Sequence, residues 1–226
     1  MTIPGRLNRD QMAWRAAQDI PGGACVNLGI GMPELVANHV AAGREVIFHC
    51  ENGILGMGPM AAPGEEDFDL VTAGKMPVTV LPGAAYFDSA LSFAMIRGGH
   101  IDIAVLGAFQ VSRTADLANW STGEPGVTPA VGGAMDLAVG AKRVFALTTH
   151  TTRDGTPKIV EACTYPLTGA GIVSTVYTDL AVIDMTENGP VVREMVDGLD
   201  LDALQALSGT RLALSPDGAV LMAPEL

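Results

Sequence analysis

Short apolar runs that end in glycine recur along this chain, and they limit its fold more than any other feature. "ACVNLGIG" (24–31), "EVIFHC" (45–50), "VTVLPG" (78–83) and "IDIAVLGAFQV" (101–111) are nearly continuous in apolar residues rather than alternating. A strand with one wet face alternates, whereas a strand covered on both faces does not. Stretches with helical spacing lie before and between these runs at 6–19, 33–40 and 89–99, with Pro33 at a favourable first-turn position. Alternating strand and helix predicts βαβ units and a largely parallel sheet. Further strand-like runs at 141–149, 158–163, 174–179 and 180–186 make the second half denser in strands, and a closing helix at 202–209 stops at Gly209. The expected fold is a three-layer α/β/α domain over residues 1–226, with a mixed, largely parallel sheet.

Composition narrows the function classes. Of 226 residues only 17% are charged and 48% are hydrophobic, as suits a chain that buries much of itself, a face for a partner subunit included. No apolar run reaches the roughly 18 residues of a membrane span, and the opening residues lack the basic-then-apolar layout of a signal peptide. A cytoplasmic protein is the expectation. Three widely spaced cysteines, Cys25, Cys50 and Cys163, argue against a disulfide framework or a zinc site. A net charge of −12 argues against nonspecific nucleic-acid binding. If the ligand is anionic, the few cations matter, Lys75, Arg97 and Arg113 among them.

Ligands in open α/β sheets bind at the carboxyl ends of strands. Glycine-bearing ends occur at "NLGIG" (27–31), "CENG" (50–53) and "LGAFQ" (106–110), and a glycine cluster, "AVGGAMDLAVGAK" (130–142), precedes a strand. Such turns admit close backbone approach and can hold anions on their N–H groups. "GIGMPE" lacks the third glycine of a dinucleotide fingerprint and puts Pro33 and Glu34 where a pyrophosphate would sit. The P-loop, the G-x-S-x-G elbow and zinc-binding histidine spacing are all missing from the sequence.

Glu51 closes an apolar run in "VIFHCENGILGMGP" (46–59). An acid there commonly caps the following turn. Burial at the end of the strand would instead raise its pKa and desolvate it, leaving a general base or a nucleophile able to form an acyl intermediate. Asn52 places an amide beside it, and Gly53, Gly56 and Gly58 leave room for a bulky ligand. Cap, base and nucleophile stay open on the residues alone.

Five segments in order resemble the β subunit of the class I CoA-transferases that act on 3-oxoacids. They are "VNLGIGMPELVANHV", "HCENGILGMGP", "TAGKMPVTVLPGAAYFDSALSFAMIRGGHIDIAVLGAFQV", "DLANW" and "VGGAMDLAVGAKRV". The resemblance covers nearly the whole chain, from about Leu7 to the region of Glu187. The resemblance implies that Glu51 is the nucleophile, attacking an acyl-CoA thioester and then carrying CoA as a γ-glutamyl thioester. It implies that Asn27 lies near the glutamyl-CoA carbonyl and that Lys75 contacts the phosphate-bearing part of CoA. Gly133 and Ala134 would line the CoA path, Asn52 and Gly53 would form the turn that presents Glu51, and Gln110 and Asn119 would shape the pocket. Outside the resemblance, Lys75 reads as a solvated lysine, Gly133 as a tight turn, and Gln110 and Asn119 as buried polar groups satisfying loop backbone.

Cys50 stands where the family usually has serine; a small residue is kept, so function is expected to survive. The resemblance also implies coenzyme A as a cosubstrate with no permanently bound cofactor, and a separate α subunit that completes the site. Succinyl-CoA is the implied donor. "PAVGGAMDLAVGAK" (129–142) points to 3-oxoadipate as acceptor, with acetoacetate as the alternative because "VLPGAAYFDSA" (80–90) also occurs in that branch. For a dicarboxylate, Arg97 or Arg113 could supply the extra cation. A sugar-phosphate isomerase with Glu51 as base and a non-catalytic CoA-binding subunit are the competing classes.

Overall fold

The structure, a computed structural model, describes residues 3, 5–124, 126 and 129–226. Helix α1 (Arg9–Gln18) opens the chain, capped reciprocally by Asn8 and Gln11. Strand β1 (Cys25–Leu28) follows, then a 3-10 helix (Met32–His39), then β2 (Ile47–Cys50), β3 (Ile54–Met60) and β4 (Val78–Tyr86). Helix α2 (Ser89–Arg97), capped by Asp88, leads to β5 (Ile103–Gly107), β6 (Gln110–Ser112) and β7 (Leu117–Ala118). Helix α3 (Ala134–Gly140) precedes β8 (Arg143–Leu147), β9 (Ile159–Val160), β10 (Val173–Tyr177), β11 (Ala181–Thr186) and β12 (Gly189–Val196). Helix α4 (Leu201–Ala206) and β13 (Ala213–Leu221) close the chain.

Ten strands form one open sheet in the order β13-β12-β11-β10-β8-β5-β1-β2-β3-β4. Its middle, β10 through β2, is parallel, and the pairs β10/β11, β11/β12, β2/β3 and β3/β4 are antiparallel. The expected mixed, largely parallel sheet is therefore the observed one. Its parallel strands are the runs without alternation, with Val26, Ile103, Ala104, Val105, Phe145 and Val176 all buried. A small second sheet, β7-β6-β9, sits over one end. The chain leaves the large sheet at Gly107 and enters the small one at Gln110, so the apolar run at 101–111 is two strands rather than one.

Strand order sets where a ligand can enter. From β1 the chain steps to β2 on one side, and from β5 it steps to β8 on the other. Right-handed crossovers put those two connections on opposite faces, so the crevice opens between β1 and β5 at their carboxyl ends. The packing agrees: α1 lies against the 3-10 helix and α2 against α3.

The expected open space at Gly53, Gly56 and Gly58 is not there. A Cβ on Gly53 would stand 1.9 Å from the Phe87 carbonyl oxygen, one on Gly56 3.1 Å from the Ala84 Cα, and one on Gly58 2.4 Å from Thr79 Oγ1. These glycines let β4 cross β3 closely, through two shifts of register. "GILGMGP" is a strand, not a ligand loop.

Candidate active site

A cavity of about 440 Å³ occupies the crevice. Its floor comes from strand ends: Gly29 after β1, Leu106 and Gly107 of β5 with Ala108 beyond, and Leu147 of β8 followed by Thr148 and Thr149. Gly29 has to be small, since its Cβ would stand 3.1 Å from the Val105 carbonyl oxygen. Phe109, Asn119 and Trp120 form one wall, and the segment 130–134 forms the other.

Glu51 projects into this cavity from the turn after β2. It is half-buried, and burial pushes its carboxyl above the usual carboxylate range, with no offsetting donor or charge among the described residues. A Cβ built on Gly133 would meet the carboxylate carbon and both oxygens at 3.1 Å, so the acid lies directly against the backbone of Gly133. Ala134, the first residue of α3, lines the cavity beside it, as does Gly132, whose φ of +53° is left-handed. Of the residues expected in the pocket, Glu51, Gly133, Ala134 and Asn119 meet there.

Asn119 shapes the wall through its amide. It donates to the Gly107 carbonyl at 3.0 Å and accepts from Thr168 Oγ1 at 2.6 Å, which holds the end of β5 against the loop. Asn27 is buried and does not line the cavity. Its Nδ2 faces His49 Nδ1 at 3.0 Å and donates to the His49 carbonyl at 3.2 Å, while its Oδ1 is buried without a partner. His49 Nε2 faces Ser92 Oγ at 3.0 Å, and burial lowers the imidazole to about 4, so the ring is neutral at pH 7 and one nitrogen can accept.

The remaining expected residues lie outside the cavity lining. Asn52 is exposed and donates to the Val71 carbonyl at 2.8 Å. Gly53, with φ of +117°, closes the turn onto Phe87. Gln110 is buried and accepts from the Thr164 N–H at 2.8 Å while donating to Thr164 Oγ1 at 3.0 Å. Lys75 is exposed, with φ of +63°, and its segment does not line the cavity. Arg97 pairs with Asp136 at 2.6 Å, and Arg113 reaches the Asn188 carbonyl at 3.4 Å; neither faces the cavity.

Cys50 acquires a role. Its Sγ accepts the Ala73 N–H at 3.2 Å, as a serine hydroxyl could, and burial raises its thiol pKa. The thiol is therefore a protonated anchor for the loop at 72–76 rather than a nucleophile. Glu34 grips the same loop: Oε1 accepts from Thr72 Oγ1 at 2.6 Å and Oε2 from the Gly31 N–H at 2.8 Å. A carboxylate of the chain itself thus fills the N–H site that a pyrophosphate would need.

One charged residue of the cavity lining carried no signal in the sequence. Lys158, just before β9, lines the cavity and donates to Thr148 Oγ1 at 3.0 Å. Burial lowers its pKa, with Asp179 acting in the opposite direction.

The model of the family described as Coenzyme A transferase matches residues 9–206. The chain is 59% identical over 212 residues to the β subunit of 3-oxoadipate CoA-transferase from Pseudomonas putida, covering 94% of this chain and 99% of that one. It is 47% identical over 208 residues to the β subunit of a probable succinyl-CoA:3-ketoacid coenzyme A transferase from Bacillus subtilis, covering 92% and 95%. An acyl-CoA transferase of Escherichia coli O157:H7, solved as a thioester complex with CoA, superposes with a TM-score of 0.74 at 21% identity. That match covers 97% of this chain but only 44% of the longer one, and at such identity it speaks for the fold alone.

Proposed function

This chain belongs to the coenzyme A transferase family, and on that premise we propose that it is the glutamate-bearing β subunit of a transferase that moves CoA from succinyl-CoA to a 3-oxoacid. The observation that carries the reading is the desolvated Glu51 carboxylate, held against Gly133 in the cavity at the switch point of the sheet. A stripped carboxylate is a stronger nucleophile than a hydrated one, and shielding from water preserves an acyl intermediate.

In the proposed cycle a Glu51 oxygen attacks the thioester carbonyl, and CoA leaves as thiolate, giving a mixed anhydride. The thiolate attacks the Glu51 carbonyl carbon, which releases succinate and leaves a γ-glutamyl-CoA thioester. The 3-oxoacid carboxylate then runs the two steps in reverse. Each step exchanges one anion for another, so no proton donor is required. Gly133 and Ala134 give backbone surface along the thioester, and Asn27 lies behind it, held by His49. Asn52, Gly53, Gln110 and Asn119 hold the turn and walls. Lys75, on the loop anchored by Cys50 and Glu34, is assigned to the phosphates of CoA.

Greater identity to the 3-oxoadipate relative than to the 3-ketoacid relative supports 3-oxoadipate as acceptor, with acetoacetate second. The names of those relatives, each one subunit of a larger enzyme, also support a separate α subunit as partner. Among the described residues no helix is long and apolar enough to cross a membrane, and the cytoplasm is the proposed location.

Borohydride reduction tests the covalent step. The chain and its partner are mixed with succinyl-CoA, treated with borohydride and assayed. Activity should vanish only when acyl-CoA is present and Glu51 is intact. Equal loss with and without acyl-CoA sinks the nucleophile assignment. Turnover of a sugar phosphate by this chain alone would favour the isomerase reading.

A further inference from the structure

We propose that Lys158 is the specificity residue for the reaction, binding the distal carboxylate of a dicarboxylic acyl group while the proximal carboxylate engages Glu51. The inference rests on the CoA-transferase reading above and adds to it the chemical class of the acid.

Glu51 and Lys158 are the two charged residues in the described lining of the cavity. They stand at opposite sides of it. Glu51 follows β2, and Thr148, which Lys158 contacts, follows β8; β1 and β5 lie between. Three strand intervals are on the order of 14 Å at about 4.8 Å each. Both residues line the cavity that lies over that span. The floor and walls between them are mainly apolar or backbone, from Gly29, Leu106, Gly107, Ala108, Phe109 and Trp120. A carbon chain fits such a channel, with an anionic head at each end.

The ammonium is poised for an anion. It has three N–H donors, and Thr148 Oγ1 is its one hydrogen-bond acceptor among the described residues. That hydroxyl is itself committed, donating to the Ala108 carbonyl at 2.8 Å, so it aims the lysine without neutralising it. Asp179, the acid that acts on Lys158 from a distance, is paired with Arg6 at 3.4 Å and accepts the His150 N–H at 2.7 Å. A partly buried cation without an ion-pair partner carries a desolvation cost that an arriving carboxylate offsets. Arg97 and Arg113 cannot share the task, since both lie away from the cavity.

The test uses the assembled enzyme with two variants. Lys158→Met removes the cation, and Lys158→Gln removes the charge but keeps a donor for Thr148, so that fold and charge are separated. The KM for succinate and for 3-oxoadipate should rise about 10- to 100-fold, the worth of a charge-assisted hydrogen bond. In the exchange of CoA between acetoacetyl-CoA and labelled acetoacetate, where neither acyl group has a distal carboxylate, KM and kcat should change less than about threefold by the same bookkeeping. Equal losses on mono- and dicarboxylic acids, or no loss on either, overturn the proposal. Wild-type enzyme that shows no succinyl-CoA-dependent inactivation by borohydride would instead refute the underlying transferase reading.

Discussion

Glu51 is half-buried, and no described residue donates to its oxygens, so its charge works against the fold while it serves the proposed chemistry. Its folded pKa is raised, so the acid form favours folding. That contribution is present below the ordinary carboxylate value of about 4.3 and is lost as pH rises through the folded value. Glu51→Gln should therefore raise the melting temperature at pH 7 and leave it unchanged near pH 3, while lowering transfer by at least about a thousandfold, as loss of a covalent nucleophile does. Thermal melts at the two pH values and steady-state assays check both halves. Gly133→Ala tests the contact from the other side. Its Cβ would press on the carboxylate at 3.1 Å from an allowed backbone, so stability should hold while kcat falls by roughly 100-fold from misplacement. Much of this site was legible before folding, because an acid that ends an apolar run and a glycine cluster before a strand are both local patterns. Lys158 was not legible. A lysine beginning "KIVEAC" looks solvated, and only the pairing of β9 with β6 in the second sheet carries it to the cavity.

Among the elements, the least obvious work is done by Glu34 in the 3-10 helix. It ties the Gly31 N–H and the Thr72 hydroxyl together, and Gly74 passes so near that a Cβ there would stand 2.6 Å from Oε1. Two loops beside the site, one after β1 and one carrying Lys75, thus share a single carboxylate. Glu34→Ala should destabilise by about 1–3 kcal/mol, the cost of leaving buried partners unmet. It should also raise KM for CoA esters more than it lowers kcat; urea titration and kinetics read the two effects. The parallel strands at the centre of the large sheet were legible because burial on both faces leaves no alternation to misread. β3, α3, β12 and β13 were not, for three reasons. "GILGMGP" hides a strand behind glycines that its neighbour's close approach requires. α3 is short and small-residue rich. β12 and β13 mix charged and turn residues at the sheet's end, where a half-covered strand tolerates them.

Across the whole molecule, the loops over the carboxyl ends are held by buried polar groups as well as by the apolar core, and this couples the fold to pH. His150 is fully buried where three segments meet. Its N–H donates to Asp179 Oδ1 at 2.7 Å, Nδ1 faces Thr178 Oγ1 at 3.2 Å, and Nε2 faces Ser208 Oγ at 2.8 Å. Burial first, and the Arg6 charge second, lower its pKa to about 4. His49, beneath Glu51, is lowered to about 4 by burial. The unfolded chain protonates these rings near pH 6.5, whereas the folded chain resists until about pH 4, so acidification through that window favours unfolding. For His150 the full effect is roughly 3 kcal/mol, of which about 2 kcal/mol has been lost by pH 5. His49 adds in the same direction. Glu51 opposes them at the acid end, because its raised pKa favours the folded state as it protonates. Urea midpoints measured from pH 7.5 to 5 should fall steadily, and a His150→Gln variant, whatever its absolute stability, should show a shallower slope. Parallel slopes for the two proteins would mean that another group carries the acid sensitivity.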